Sequence, residues 1–396
     1  MSNCLNAGRH YSISGKIFLK ISPWIFLIFS FLCSGCREGK VGSIRTVPPQ
    51  AVIPFNLEGQ RLHDVARLKK IVRLENHPDA LLGWVDRVVA RQEGDLFILD
   101  QRSTQRLYRF SGDGSFLNTV GNNGEGPGEY RRIEDFWITE NGICHVLESN
   151  KLHKFDQNSA HIGDENLSFV TRQGDALGNH FVVSRLWSRE QDSPMYALFD
   201  EQLHLTAEFG RRDPILAKFP LVPQRHIATS GTHIFTAEFF QSEINSFDHQ
   251  GQLRNRFVFP NAGQDILDRL RAPTPSPEDE RYVLGHIRSI YQIWACNRFL
   301  YINENLADLG TRRSSIFFPV QGACYYFDND ALSTEDGSVE LNHIQGIAGE
   351  ALIQVVFEER TLRRLESNYP ELAEVHLKPN DNPIILLLDL SGWPKK

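Results

Sequence analysis

The sequence predicts an all-β fold, a six-bladed β-propeller, and three observations carry that prediction. The first is a repeat. Phe-Asp or Phe-Ser pairs recur at Phe110-Ser111, Phe155-Asp156, Phe199-Asp200, Phe247-Asp248 and Phe327-Asp328, with spacings of 45, 44, 48 and 80 residues. Repeats of about 40–50 residues, each with four short strands, are the mark of propeller blades. The second is composition. There are 26 Phe and only 2 Met, and aromatic residues suit a pleated surface. The 3.6-residue apolar period of a helical solenoid is largely absent. The third is a joint, Gly121 to Tyr130, where one repeat ends and the next begins.

The N-terminal 35 residues are set apart from the fold. Arg9, Lys16 and Lys20 are followed by an apolar run from Ile21 to Leu32, and no acid precedes Glu38. The run is shorter than the roughly 20 residues that span a bilayer, and its layout is that of a secretory signal. It ends in Leu32-Cys33-Ser34-Gly35-Cys36. Small residues before a cysteine resemble a bacterial lipobox, which implies lipidation of Cys36 and a protein anchored in the bacterial cell envelope, outside the cytoplasm and at the outer membrane. The division expected is signal peptide 1–35, anchor and linker 36–60, and a single propeller 61–396. Cleavage removes three bases and no acid, leaving 39 bases against 49 acids, a formal charge of −10. That balance argues against a nucleic-acid partner, which needs clustered Lys and Arg.

Lys70 to Glu75 reads as a lone strand before the first blade. Asp95–Asp100, Arg106–Phe110 and Phe116–Val120 are strands of blade one, with Ser111-Gly112-Asp113-Gly114 as a tight turn. Gly142–Glu148 and Lys151–Asp156 repeat that order, with Gly94 and Gly142 being 48 residues apart. The last interval of the ruler is stretched by an insertion, Asn261 to about His286. Leu388-Asp389-Leu390-Ser391-Gly392 is a degenerate sixth copy with almost no chain after it. The lone strand is therefore expected to complete the last blade and close the ring, which limits exposed sheet edges. Two segments read as helical, Gln264–Arg271 and, interrupted by Pro370, Glu359–Val375. Cys296 and Cys324 belong to the innermost and outermost strands of blade five. Three strand spacings are about 14 Å, too far for a disulfide.

Gly124-Glu125-Gly126-Pro127-Gly128-Glu129-Tyr130, followed by the strands around Ile143–Glu148 and Lys151–Asp156, resembles the NHL-type propeller repeat. The chain from Val52 to Leu390 is similar to bacterial six-bladed β-propeller lipoproteins with one Gly-Pro-Gly-Glu-aromatic loop after blade one. The loop does not recur in blades three to six. The resemblance implies the fold and the anchor; most such proteins have no assigned activity.

Topology points to a face. In an up-down blade, the loops joining the second and third strands lie on the same face as the blade-to-blade loops. That face collects Asp100 to Arg102, the Gly-rich loop and the insertion. Loops on a rigid scaffold carry function, so ligand-binding candidates are drawn from it. They are Asp100, Arg102, Glu125, Gly126, Gly128, Glu129 and Tyr130, with Asp86, Arg87, Glu134, Asp135, Arg225 and His226 at the starts of innermost strands around the channel mouth. The Gly-rich loop could aim amides at an anion or a sugar, or its glycines could serve only the turn. It is not a phosphate-binding P-loop, since no Lys-Ser/Thr follows. Asp100 and Glu148 at matching positions read as turn-closing residues. No cofactor, metal-ligand spacing or catalytic triad is seen. The expectation is a lipid-anchored binding or interaction module for a polar small molecule, glycan or partner protein. The rival class is a propeller hydrolase or lyase with its site in the channel.

Overall fold

The structure is a computed structural model describing residues 51–394, apart from 53–54, 92–93, 186–192, 212–223, 238–242, 260–288, 306–311, 328–331, 335–336 and 340–342. The predicted insertion and its helix Gln264–Arg271 lie outside the described residues. Six antiparallel sheets form a six-bladed β-propeller. The innermost strands, in chain order, are Arg87–Ala90, Asp135–Ile138, Gly174–Leu177, Ile227–Ser230, Ser289–Ala295 and Ile344–Ala348.

The blades stand because their strands are apolar on both faces. In blade one, Leu96 and Ile98 pack with Ile353, Val355 and Ile385 of blade six. Phe97 and Leu99, pointing the other way, pack with Phe136 and Val146 of blade two. Alternate residues of a strand face opposite sides of its sheet, so this strand is buried from end to end. The same interdigitation recurs between blades two and three around Trp137 and Phe181. It continues between three and four around Val182 and Ile234, four and five around Phe235 and Leu300, and five and six around Tyr301 and Leu352. Each fully buried side chain of this size contributes roughly 1.5–3 kcal/mol.

In the sixth sheet, Ile384–Asp389 is the third strand, and Arg67–Arg73 pairs antiparallel to it as the fourth. The segment 36–60, expected to be anchor and linker, also contributes strands to the sheets. Ala51–Val52 and Phe55–Gln60 pair in parallel with the outermost strands of blades four and five. The N-terminal segment thus covers three successive outer edges, the places where unpaired backbone invites aggregation.

The second helical segment divides at its proline. Glu359–Leu365 is an α-helix and Pro370–Glu374 a 3-10 turn with Pro370 in its first turn. Proline suits that position because its missing N–H would be unpaired there anyway. Cys324 lies in the outermost strand of blade five, Cys296 just beyond the innermost one, and Cys144, Cys296 and Cys324 are free thiols. No helix among the described residues is long and apolar enough to cross a membrane.

Candidate functional site

Where innermost strands begin, the chain must pass from the outer rim of one blade to the axis of the next. Polar residues at those starts converge. Asp86 and Arg87, Glu134 and Asp135, Gln173, and Gln224 and Arg225 line one cavity at the channel mouth, with Gln101, Arg102, Arg132, Arg172, Gln292 and Trp294. Its volume is about 230 Å³, below the roughly 300–1,000 Å³ of drug-sized pockets, so it suits a single charged group or one small ring. It opens on the face that carries the second-to-third strand loops and the blade-to-blade loops.

Arg87, Asp135 and Arg225 of the lining belong to a closed ring of four charges, completed behind the floor by Asp175. Arg87 Nη1 donates to Asp135 Oδ1 and Arg87 Nη2 to Asp175 Oδ1, both at 2.7 Å. Arg225 Nη1 lies 3.4 Å from Asp135 Oδ2 and Arg225 Nη2 lies 3.2 Å from Asp175 Oδ2. The carboxylates are held in turn. Asp135 accepts from the Phe136 and Gly174 amides, and Asp175 from the amide and hydroxyl of Thr229. The ring therefore links the first four blades. Burial works against the charge of Arg87, but Asp135 and Asp175 outweigh it and raise its pKa. Arg225 is pushed down, first by burial and then by the neighbouring Arg87. Trp294 of blade five presents its ring to Arg225 at 4.6 Å.

The rim is different. Arg102, Arg132 and Arg172 are 52%, 59% and 43% exposed. Arg102 Nε is 2.9 Å from Asp86 Oδ1, and Glu134 lies 3.3 Å from Arg132 and 4.0 Å from Arg172. Five arginines and three carboxylates line the cavity, in a chain whose formal charge is −7. The floor arginines are buried and the rim guanidinium groups, though each lies beside a carboxylate, are the solvent-exposed ones placed to meet an incoming anion, and their planar forks match a carboxylate or phosphate. Burial raises the Asp86 carboxyl above its ordinary range, against the hydrogen bonds it accepts from the Gln101 and Arg102 amides.

Of the sequence-predicted residues, Asp86, Arg87, Arg102, Glu134, Asp135 and Arg225 are brought together in the cavity. The others are not. Asp100 is fully buried and accepts from the amides of Gly83, Trp84, Ser103 and Thr104 at 2.8–3.2 Å, so both its oxygens are used by the turn. Glu129 accepts the Gly126 amide at 2.8 Å. Tyr130 is fully buried and donates to the Val120 carbonyl at 2.7 Å. Glu125 pairs with Arg131 on the surface. Gly128 adopts φ +74°, and a Cβ there would stand 2.8 Å from the Cβ of His161. Gly126 is closed over by the Glu129 carboxylate. His226 is buried beside Tyr196, its amide donating to Gln173 Oε1 at 2.9 Å. Sequence reasoning missed Arg132, Arg172, Gln173, Gln224, Gln292 and Trp294. Arg132 and Arg172 lie just ahead of innermost strands, as Asp86 and Arg225 do; aligning the repeats on those starts would have found them.

The family of domains of unknown function DUF4934 matches residues 52–389. A predicted exported protein of Bacteroides fragilis NCTC 9343 has a similar structure, with a TM-score of 0.65 and 16% identity, over 84% of this chain and 98% of that one. A DUF4221 family member from Bacteroides vulgatus ATCC 8482 is similar at a TM-score of 0.50 and 8% identity, over 82% of this chain and 97% of that one. Among curated proteins none matches. The match over residues 52–389 spans the whole ring of six blades, and the chain belongs to the DUF4934 family.

Proposed function

We propose that this chain is an extracytoplasmic binding module that takes the anionic end of a small polar ligand, a carboxylate-bearing sugar being the best fit, in the cavity at the channel mouth. The observation that carries the reading is five arginines around about 230 Å³ in a net-acidic protein. Arg102, Arg132 and Arg172 bind the anion, while the ring of Arg87, Asp135, Asp175 and Arg225 supplies a rigid, preorganised floor, which lowers the ordering cost of binding. The signal-like N-terminus and the exported B. fragilis relative support a place in the bacterial cell envelope, with Cys36 as lipid anchor at the outer membrane. The likeness to NHL-type lipoproteins rests on the lipobox, the one Gly-rich loop and the Asn382-Pro383-Ile384-Ile385-Leu386 strand.

Calorimetric titration with glucuronate and galacturonate oligosaccharides, against their neutral counterparts, tests this. Binding of the acidic series only is expected, weakening with salt. Arg132→Ala with Arg172→Ala should cost about 3–6 kcal/mol of binding, given about 1.5–3 per charge-assisted bond, and leave the melting temperature unchanged. Equal affinity for neutral sugars, or an unaffected double variant, would overturn it. A channel hydrolase is the alternative reading, and the observation that favours it is a carboxyl, Asp86, raised by burial at the cavity wall, the direction in which a general acid is shifted. Product release from the same oligosaccharides, lost in Asp86→Asn, would establish it.

A further inference from the structure

Blade two carries a second constellation, outside the cavity. His153 Nδ1 lies 2.9 Å from Asp164 Oδ1, and His161 Nε2 lies 2.7 Å from the same oxygen. One donor atom from each of the three residues lies within 4.8 Å of the other two. They come from two strands, Lys151–Phe155 and His161–Asn166. A bulge brings them to one face: His161 stands opposite Phe155 and Asp164 opposite His153, with Ile162 as the extra residue. Without that extra residue, side chains three apart on a strand would point to opposite faces.

We propose that His153, His161 and Asp164 form a binding site for one divalent transition-metal ion. Three lines support it. The donor set, two imidazoles and one carboxylate oxygen, is the set that first-row ions such as Zn(II) prefer over Ca or Mg. The surroundings have the build of a metal site's supporting shell. His153 is fully buried and its other nitrogen, Nε2, lies 3.1 Å from Glu148 Oε2, the carboxylate–histidine arrangement that directs the remaining imidazole nitrogen at an ion. Lys151 Nζ holds Asp164 Oδ2 at 2.9 Å, leaving Oδ1 for the site. Donors around a tetrahedral Zn(II) with bonds of about 2.0–2.2 Å stand about 3.3–3.6 Å apart, so the two Asp164 contacts at 2.7 and 2.9 Å would open by about 0.4–0.9 Å and the two imidazole nitrogens, within 4.8 Å of each other, would settle to the same spacing.

The third line is an internal control. The same bulge recurs at the start of the outermost strand in blades one, three and four. The three matching positions there hold Tyr108, Phe116 and Thr119, then Ala197, Leu205 and Glu208, then Asn245, Leu253 and Arg256. The bulge belongs to the blade; the ligand set belongs to blade two. Its ion also ties in the Gly-rich loop. Glu148 Oε1 accepts the Arg131 amide at 3.0 Å, and Gly128 packs on His161.

Zn(II) titration of the purified chain, followed by calorimetry and thermal shift, tests the site. One ion per chain is expected, with His161→Ala or Asp164→Asn weakening affinity at least 100-fold and Glu148→Gln about 10–100-fold. His161 is partly exposed, and circular dichroism and apo melting checked alongside show that each variant remains folded. Co(II) loading should give visible bands of an imidazole–carboxylate site. Wild-type Zn(II) affinity in both ligand variants, no saturable binding in the wild type, or a thiolate charge-transfer band placing the ion on cysteine would overturn the proposal.

Discussion

His145 shows how a single buried side chain ties stability to pH. Its ring stacks on Trp137 and lies beside Phe181, 4% exposed. Burial, with the nearby Lys154 charge, lowers its pKa to about 4 from 6.5. The native state therefore holds it neutral where the unfolded chain takes up a proton. Stability from this residue is complete above pH 6.5, falls as pH drops, and is lost by about pH 4. At about 1.4 kcal/mol per pKa unit the loss is on the order of 3 kcal/mol. His145→Phe keeps the stacking and removes the proton. Urea unfolding at pH 6.5 and 4.5 should show a shallower acid decline in the variant than in the wild type; parallel declines would refute the assignment.

The Gly-rich loop makes its case at the level of the element. Asn122–Asn123 and Glu129–Tyr130 pair as a two-stranded parallel ladder, and the glycines between them are not equivalent. Gly128 needs positive φ and meets the backbone-proximal atoms of His161, while Gly126 meets only the end of the flexible Glu129 side chain at 3.1 Å. Left-handed backbone costs an L-residue about 1–2 kcal/mol. Gly128→Ala should lose about 2 kcal/mol or more in urea unfolding and Gly126→Ala less than about 1. Equal losses would mean that the loop's conformation, not this contact, sets its glycine requirement. The loop was legible in the sequence as a joint because its glycines and proline are a local signal. The roles of Glu129 and Tyr130 were not, since an acid and a phenol look the same in sequence whether they face a ligand or a backbone amide.

For the whole molecule, the fourth strand of blade six comes from the N-terminal end of the ring. Arg67–Arg73 covers the edge of Ile384–Asp389, and the apolar cluster between blades six and one includes Val72 beside Ile353 and Ile385. A chain beginning at Asn76 should expose that edge, aggregate on size-exclusion chromatography and lose its cooperative melt. A peptide of residues 67–75 added in trans should restore both in part. A truncated chain that stays monomeric with an unchanged melting temperature would show that the edge needs no cover. The N-terminal strands on blades four and five were not read from the sequence. Parallel pairing at an outer edge leaves no period distinguishable from a linker.

The repeat, and with it the blade count and the strands of the first two blades, was legible in the sequence because each depends on local patterns: apolar runs, turn glycines and the Phe-Asp ruler. The sequence also supplied six of the cavity residues, because a topological rule about strand starts could be applied without coordinates. The tertiary structure alone decided the rest. Arg87, Asp135, Asp175 and Arg225 meet across 138 positions of sequence, and Trp294 and Gln292 join them from blade five. Whether a charged residue at a strand start faces the channel or a neighbouring blade is set by ring closure, which no local pattern encodes. The same holds for His153, His161 and Asp164, where a one-residue bulge decides which side chains share a face.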